Sequence, residues 1–125
     1  MAQVGVTEAQ AKEKCCGNVD VVRCPDHENG RAIAEGKTTG LIKVMVVKSK
    51  RVGASIVGAM AGELIGMWAM AIANKMKMSA IAATVLPYPT ISEINKRAAG
   101  AYFTPRLFES PMVKRVVGLV QRWLP

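Results

Sequence analysis

The segment Thr84-Val-Leu-Pro-Tyr-Pro-Thr-Ile-Ser-Glu-Ile-Asn-Lys-Arg97 constrains the fold more than any other, because it fixes the backbone twice before starting a helix. Pro87 and Pro89 each hold φ near about −65° and push the preceding residue out of the helical region, so Tyr88 is expected on a stiff, extended loop. Thr90 reads as an N-cap. Glu93, three residues on, completes an S/T-x-x-E capping box, in which each side chain satisfies a backbone N–H that the first turn leaves unpaired. The pattern suits either a structural helix start or a Tyr/Glu pair presented to a site.

Upstream, Leu41-Ile-Lys-Val-Met-Val-Val47 is rich in β-branched residues, and Val52–Val57 is predicted to pair with it across the polar connection Lys48–Arg51. Both segments are apolar on both faces at several positions, as central strands covered by helices are. Residues 2–6 suit an edge strand, and Thr7, with Gln10 at the third helical position, caps a short helix to about Cys16 that Gly17 and Asn18 stop. Val19–Cys24 alternates as a strand ended by Pro25-Asp26; residues 28–35 make one or two helical turns before the Gly36–Gly40 turn region. Helices are predicted over Ala61–Lys75, Met78–Val85 and Thr90–Tyr102. Thr104-Pro105 breaks the third, and Pro111 starts a last helix with Val113, Val116, Val117, Val120 and Leu124 on one stripe. The order predicts a single α+β domain over residues 1–125, an antiparallel sheet with helices packed on one side.

Gly58–Asn74 is the most apolar stretch, yet its helical part carries Glu63 and is shorter than the roughly 20 residues a bilayer requires. It is expected to be buried. Gly58, Gly62 and Gly66, at spacing four, permit close backbone approach, either of helix to sheet or of one subunit to another. The amphipathic last helix needs no lipid to explain it. The net charge of +8 is uneven: residues 1–40 hold five basic and six acidic side chains, and residues 41–125 hold twelve and three. A basic excess can mark a nucleic-acid or anionic-membrane adaptor. Here the cations are dispersed as Lys48/Lys50/Arg51, Lys75/Lys77, Lys96/Arg97 and Lys114/Arg115, with few aromatics between them, so neither nucleic acid nor membrane is expected as partner. Three cysteines, odd in number and without an apolar leader, point to a reducing, cytoplasmic setting. Cys15, Cys16, Cys24 and His27 are weak candidates for a metal, since adjacent cysteines rarely reach one ion; packed thiols are the expected alternative.

Pro-Tyr-Pro-Thr-x-Ser-Glu followed by Asn95-Lys-Arg-Ala-Ala-Gly100 resembles the C-terminal dimerisation domain of the FAD-dependent pyridine nucleotide–disulfide oxidoreductases, especially their mercuric-reductase-like branch. Val4–Ala9 resembles the domain's opening, Arg31–Ala34 and Gly40–Val44 its middle, and Gly53–Gly58 with Ala61-Gly-Glu63 its last strand and following helix. The resemblance implies a homodimer in which the loop before the capped helix reaches the partner's flavin. Tyr88 stands where many members carry a catalytic His, and Glu93 where they carry the Glu that orients it, so Pro87 and Tyr88 become candidates for a flavin contact in trans. It further implies interface residues Gly62, Leu64, Ile65, Trp68, Tyr88, Thr90, Glu93 and Arg97. A full-length relative would bind FAD and NAD(P). This sequence holds no Gly-x-Gly-x-x-Gly, no P-loop and no redox cysteine pair where the family places it, and Gly118–Pro125 lacks the cysteine pair that the mercury-handling branch uses. The expected role is therefore a homodimerisation module, not an enzyme by itself, encoded alone or cut from a longer flavoprotein; the alternative is an accessory subunit that completes a flavoprotein site through Tyr88 and Glu93. A flavoprotein FAD/NAD domain is the further partner expected.

Overall fold

The computed structural model describes residues 1–15, 18–48, 50–105 and 115, with the side chain of Arg51 excepted. The last predicted helix, like Cys16, lies outside the described residues. Four strands, β1 (Ala2–Gly5), β2 (Asp20–Pro25), β3 (Leu41–Val47) and β4 (Lys50–Val57), form one antiparallel sheet in the order β1-β4-β3-β2. The hairpin β3–β4 is its centre. Val47 pairs with Lys50, so the connection is tighter than the sequence suggested, and Lys48 turns it with φ 48°. A register shift at Met45/Val46 then sets Met45 opposite Gly53 and Val46 opposite Arg51.

Among the described residues the helical elements follow in chain order: α1 (Glu8–Lys14), a 3-10 turn (Asp26–Glu28), α2 (Gly30–Ala34), α3 (Ala61–Ala73), α4 (Met78–Ala82) and α5 (Glu93–Ala101). Alternation along the strands puts Cys24, Ile42, Val44, Val46, Ala54 and Ile56 on one face, where they meet Ala61, Leu64, Trp68 and Ala71 of α3 and Met78, Ile81, Ile94 and Ala98 beyond it. Each fully buried aliphatic side chain there contributes about 1.5–3 kcal/mol relative to exposure.

One helix departs from the one-sided arrangement. The other face carries Arg23, Lys43 and Ser55, and Glu8 of α1 reaches across it to Lys43 (3.0 Å) and Arg23 (3.1 Å) while also pairing with Lys12 on its own helix (2.7 Å). The Lys12 and Lys43 ammonium groups hold the Glu8 carboxyl down at about 2. The Thr7 capping box that starts α1 is present in both directions: the Gln10 N–H donates to Thr7 Oγ1 (3.2 Å) and the Thr7 N–H to Gln10 Oε1 (3.0 Å).

At the end of β2 the chain buries an acid. Asp26 is 5% exposed, and among the described residues nothing donates a hydrogen bond to its carboxylate. It fits only because two glycines face it: a Cβ at Gly40 would lie 1.9 Å from Asp26 Oδ2, and one at Gly58, where φ is 144°, 2.5 Å away. Desolvation raises its pKa above the ordinary aspartate value. With the folded pKa above the unfolded one, the proton is held more tightly in the folded chain; that stability is complete below the unfolded pKa and is lost as pH rises through the folded pKa. Asp26→Asn is therefore expected to stabilise the chain at pH 7 by on the order of 1 kcal/mol and to leave it unchanged near pH 3, measured by thermal denaturation at the two pH values.

Candidate functional site

The segment between α4 and α5 is positioned by side chains that bond to backbone. Thr84 Oγ1 donates to the Ala80 carbonyl (3.0 Å), closing the end of α4. The Tyr88–Pro89 peptide is cis, and Thr90 Oγ1 donates back to the Pro87 carbonyl (2.8 Å) and lies 2.9 Å from Ser92 Oγ. The capping box expected at Thr90 and Glu93 is thus not formed. Ser92 is the N-cap, in helical conformation and without a side-chain cap, and α5 begins at Glu93. The Thr90 hydroxyl is engaged by the turn it follows instead of the helix it precedes.

Two buried asparagines hold this segment. Asn29, 2% exposed, donates from Nδ2 towards the Thr90 and Ile91 carbonyls (both 3.3 Å) and accepts the Ala32 N–H at Oδ1 (3.0 Å), so one side chain caps α2 and ties down the loop. Asn95, 1% exposed, accepts the Trp68 indole N–H (2.8 Å) and donates to the Leu64 carbonyl (3.1 Å), joining α5 to α3. Sequence reading singled out neither. Asn95 was detectable in principle, because Ile94, Ala98, Ala99 and Tyr102 form a buried helical stripe and the Asn sits within it.

Between α3 and the loop runs an apolar groove of about 590 Å³, lined by Met60, Met67 and Met70 on one side and Leu86, Thr90 and Ile91 on the other. Beside it Met60, Met70, Val85 and Tyr88 are exposed, Val85 at 90% and Tyr88 at 75%. Gly62 and Gly66 are also exposed, and a Cβ at either would meet nothing within 4 Å. Their spacing therefore does not serve helix-on-sheet packing; they open the outer side of α3. A second groove, about 650 Å³, lies on the opposite sheet face along Gln3, Lys43, Ser55 and Val57, and contains none of the expected site residues.

The expected site residues fall into three groups. Tyr88 is presented outward, its hydroxyl 3.3 Å from where a Cβ at Gly30 would stand. Glu93 is half-buried in a different cleft with Glu28, Lys96 and Arg97, and no hydrogen bond joins it to Tyr88. Gly62 is on the surface and Ile65 half-buried. Thr90 is half-buried and internally bonded, and Arg97, though exposed, pairs with Glu28 (3.1 Å). Trp68 and Leu64, at 0% and 7% exposure, form part of the chain's own core. Of the metal candidates, Cys15, Cys24 and His27 are described, and they lie apart. Cys24 faces the core, its thiol pushed up to about 11 first by burial and then by the Glu28 charge; Cys15 follows α1 on the opposite face, and His27 is exposed. Among the described residues no three His, Cys, Asp or Glu side chains are grouped to hold a metal ion, and no helix is long and apolar enough to cross a membrane.

The family model for the pyridine nucleotide-disulphide oxidoreductase dimerisation domain matches residues 1–99. The chain belongs to this family. The dihydrolipoyl dehydrogenase of Bacillus subtilis is 39% identical over 103 residues, covering 79% of this chain and 21% of the relative, and that of Buchnera aphidicola 40% over 95 residues, covering 74% and 20%. Among solved structures, LpdA from Mycobacterium tuberculosis matches with TM-score 0.71 and 25% identity over 80% of this chain and 22% of that one. The HOCl-induced flavoprotein disulfide reductase RclA from Escherichia coli matches with TM-score 0.74 and 26% identity over 78% and 22%. The chain thus spans about a fifth of the length of the relatives it matches. In the dimerisation-domain fold seen here, Asn95→Ala would leave the buried Trp68 N–H without an acceptor. It is expected to cost about 2–3 kcal/mol, read from urea denaturation followed by tryptophan fluorescence.

Proposed function

We propose that the chain acts as a homodimerisation module of a flavin-dependent disulfide reductase, itself without FAD, NAD(P) or redox-cysteine sites. The observation that carries this reading is the outer side of α3, where exposed Gly62 and Gly66 lie near exposed Met60 and Met70 and beside the Thr84–Ser92 loop. Contiguous apolar surface of this kind favours association, and small residues let two backbones approach closely. The contact would combine α3 with the region 84–103, Ile65, Thr90 and Arg97 standing at its margin. The family's name for the domain supports the same use.

A second reading deepens the first. Tyr88 is exposed, while the loop that carries it is tied through Thr90 and Asn29, so the phenol is held ready for a surface outside the chain. In the accessory role, Pro87 and Tyr88 would contact a flavin bound by another subunit's FAD/NAD domain, with Glu93 at the edge of that contact. A flavoprotein lacking its own dimerisation domain, mixed with this chain, separates the two readings: restored activity that Tyr88→Ala abolishes supports the accessory role.

Dimerisation is tested by sedimentation velocity at micromolar concentration, where a dimer is expected. Gly66→Arg adds bulk and charge to an open helical position and removes an unfavourable helical glycine, so its melting temperature should be maintained or raised. The same variant should sediment as a monomer. A monomeric parent chain, or an unchanged dimer in Gly66→Arg, would sink the proposed contact.

A further inference from the structure

Two lysine pairs that are separate in the sequence are brought together by the fold at one end of the sheet. Lys48 and Lys50 flank the β3–β4 connection, Lys75 and Lys77 follow α3, and together they rim a pocket of about 390 Å³ floored by Met78 and edged by Phe103. Among the described residues, those lining it include no Asp or Glu, and none gives the four lysine side chains a salt bridge or hydrogen bond. Ion pairs among the described residues lie elsewhere: Glu8, Glu28 and Glu35 pair with Lys12, Arg23, Lys43, Arg97, Arg31 and Lys37.

The backbone works against this arrangement in two ways. Lys50 and Lys77 are direct partners in an isolated antiparallel bridge, and like charges set opposite one another across such a pair repel. Lys48 and Lys75 both occupy the left-handed region, at φ 48° and 50°, where glycine or asparagine is favoured and another residue costs on the order of 1 kcal/mol. Strained positions of this kind gather where a site is being shaped. An anion lying between the four ammonium groups would turn the repulsion into attraction through charge-assisted hydrogen bonds.

We propose that this pocket binds a small molecule carrying two or more phosphoryl groups, with the phosphates among Lys48, Lys50, Lys75 and Lys77 and an apolar or aromatic end against Phe103. Phe103 is 37% exposed and its ring stands edge-on to that of buried Tyr102, with centroids 5.0 Å apart, which leaves part of it open to a planar group. The pocket is of the size that small-molecule ligands use, about 300–1,000 Å³, and it is concave, whereas a membrane or a nucleic-acid backbone would call for an extended basic face.

Calorimetric titration of ADP and of inorganic pyrophosphate into the full chain tests this. Both are expected to saturate at one per chain and to weaken with added salt, ADP binding more tightly. Lys50→Gln/Lys77→Gln should weaken both by about tenfold, a change of about 1.4 kcal/mol, while its melting temperature stays equal or rises because a repulsive pair has gone. Phe103→Ala should weaken ADP and leave pyrophosphate unchanged. Absence of saturable binding up to about 1 mM, or equal binding by the double variant, overturns the proposal. So does binding to phosphatidylserine vesicles or duplex DNA without binding to ADP or pyrophosphate, which would make the lysines a surface for a polyanion.

Discussion

A single buried amide sets the geometry of this chain. Asn95 receives the Trp68 indole proton and returns a hydrogen bond to the Leu64 carbonyl, so α5 is fastened to α3 at one depth and one rotation. Apolar packing alone is tolerant of small slides, whereas a buried amide with both ends satisfied has one arrangement of lowest energy. Because Trp68 also lies against the sheet, fixing it from above fixes which side of α3 turns outward. The exposed Gly62, Gly66 and Met70 are the reverse side of that decision.

Asn29 does for the loop what Asn95 does for the helix. Its amide nitrogen reaches the carbonyls of residues more than sixty positions away in sequence, while its oxygen caps α2. The Tyr88 segment is held by the Asn29 amide and by the Thr84 and Thr90 hydroxyls, and Val85 and Tyr88 are left exposed. Glu93 and Tyr88 are consequently separate features: the first belongs to the cleft along α5, the second to the outward loop.

Much of the fold was legible because period and punctuation agreed. The hairpin β3–β4, the edge strand β1, the α1 cap at Thr7 and the length of α3 all follow from β-branched runs, capping residues and apolar content. Thr7 and Thr90 show where such reading stops. Both head an S/T-x-x-E/Q pattern, yet only Thr7 closes the box; Thr90 lies in the turn after Pro87, and α5 begins only at Glu93 with Ser92 as its N-cap. The family resemblance was also legible, and the match over residues 1–99 agrees with it. Trp68 and Leu64 lie on the side of α3 that the sheet takes, which an apolar helix does not announce in its sequence. The two asparagines and Asp26 were missed for a related reason: burial of a polar group depends on partners distant in sequence, and for Asp26 on two glycines that make room for it.

The strand order β1-β4-β3-β2 also has a meaning in time. Ala2–Gly5 are translated well before their partners Gly53–Ile56, so they must wait while everything between is made. The centre of the sheet closes from residues that are neighbours in sequence, Val47 beside Lys50, and needs little chain entropy to do so. During synthesis the hairpin is thus the template and β1 the latecomer, although β1 is translated before either of the hairpin's strands.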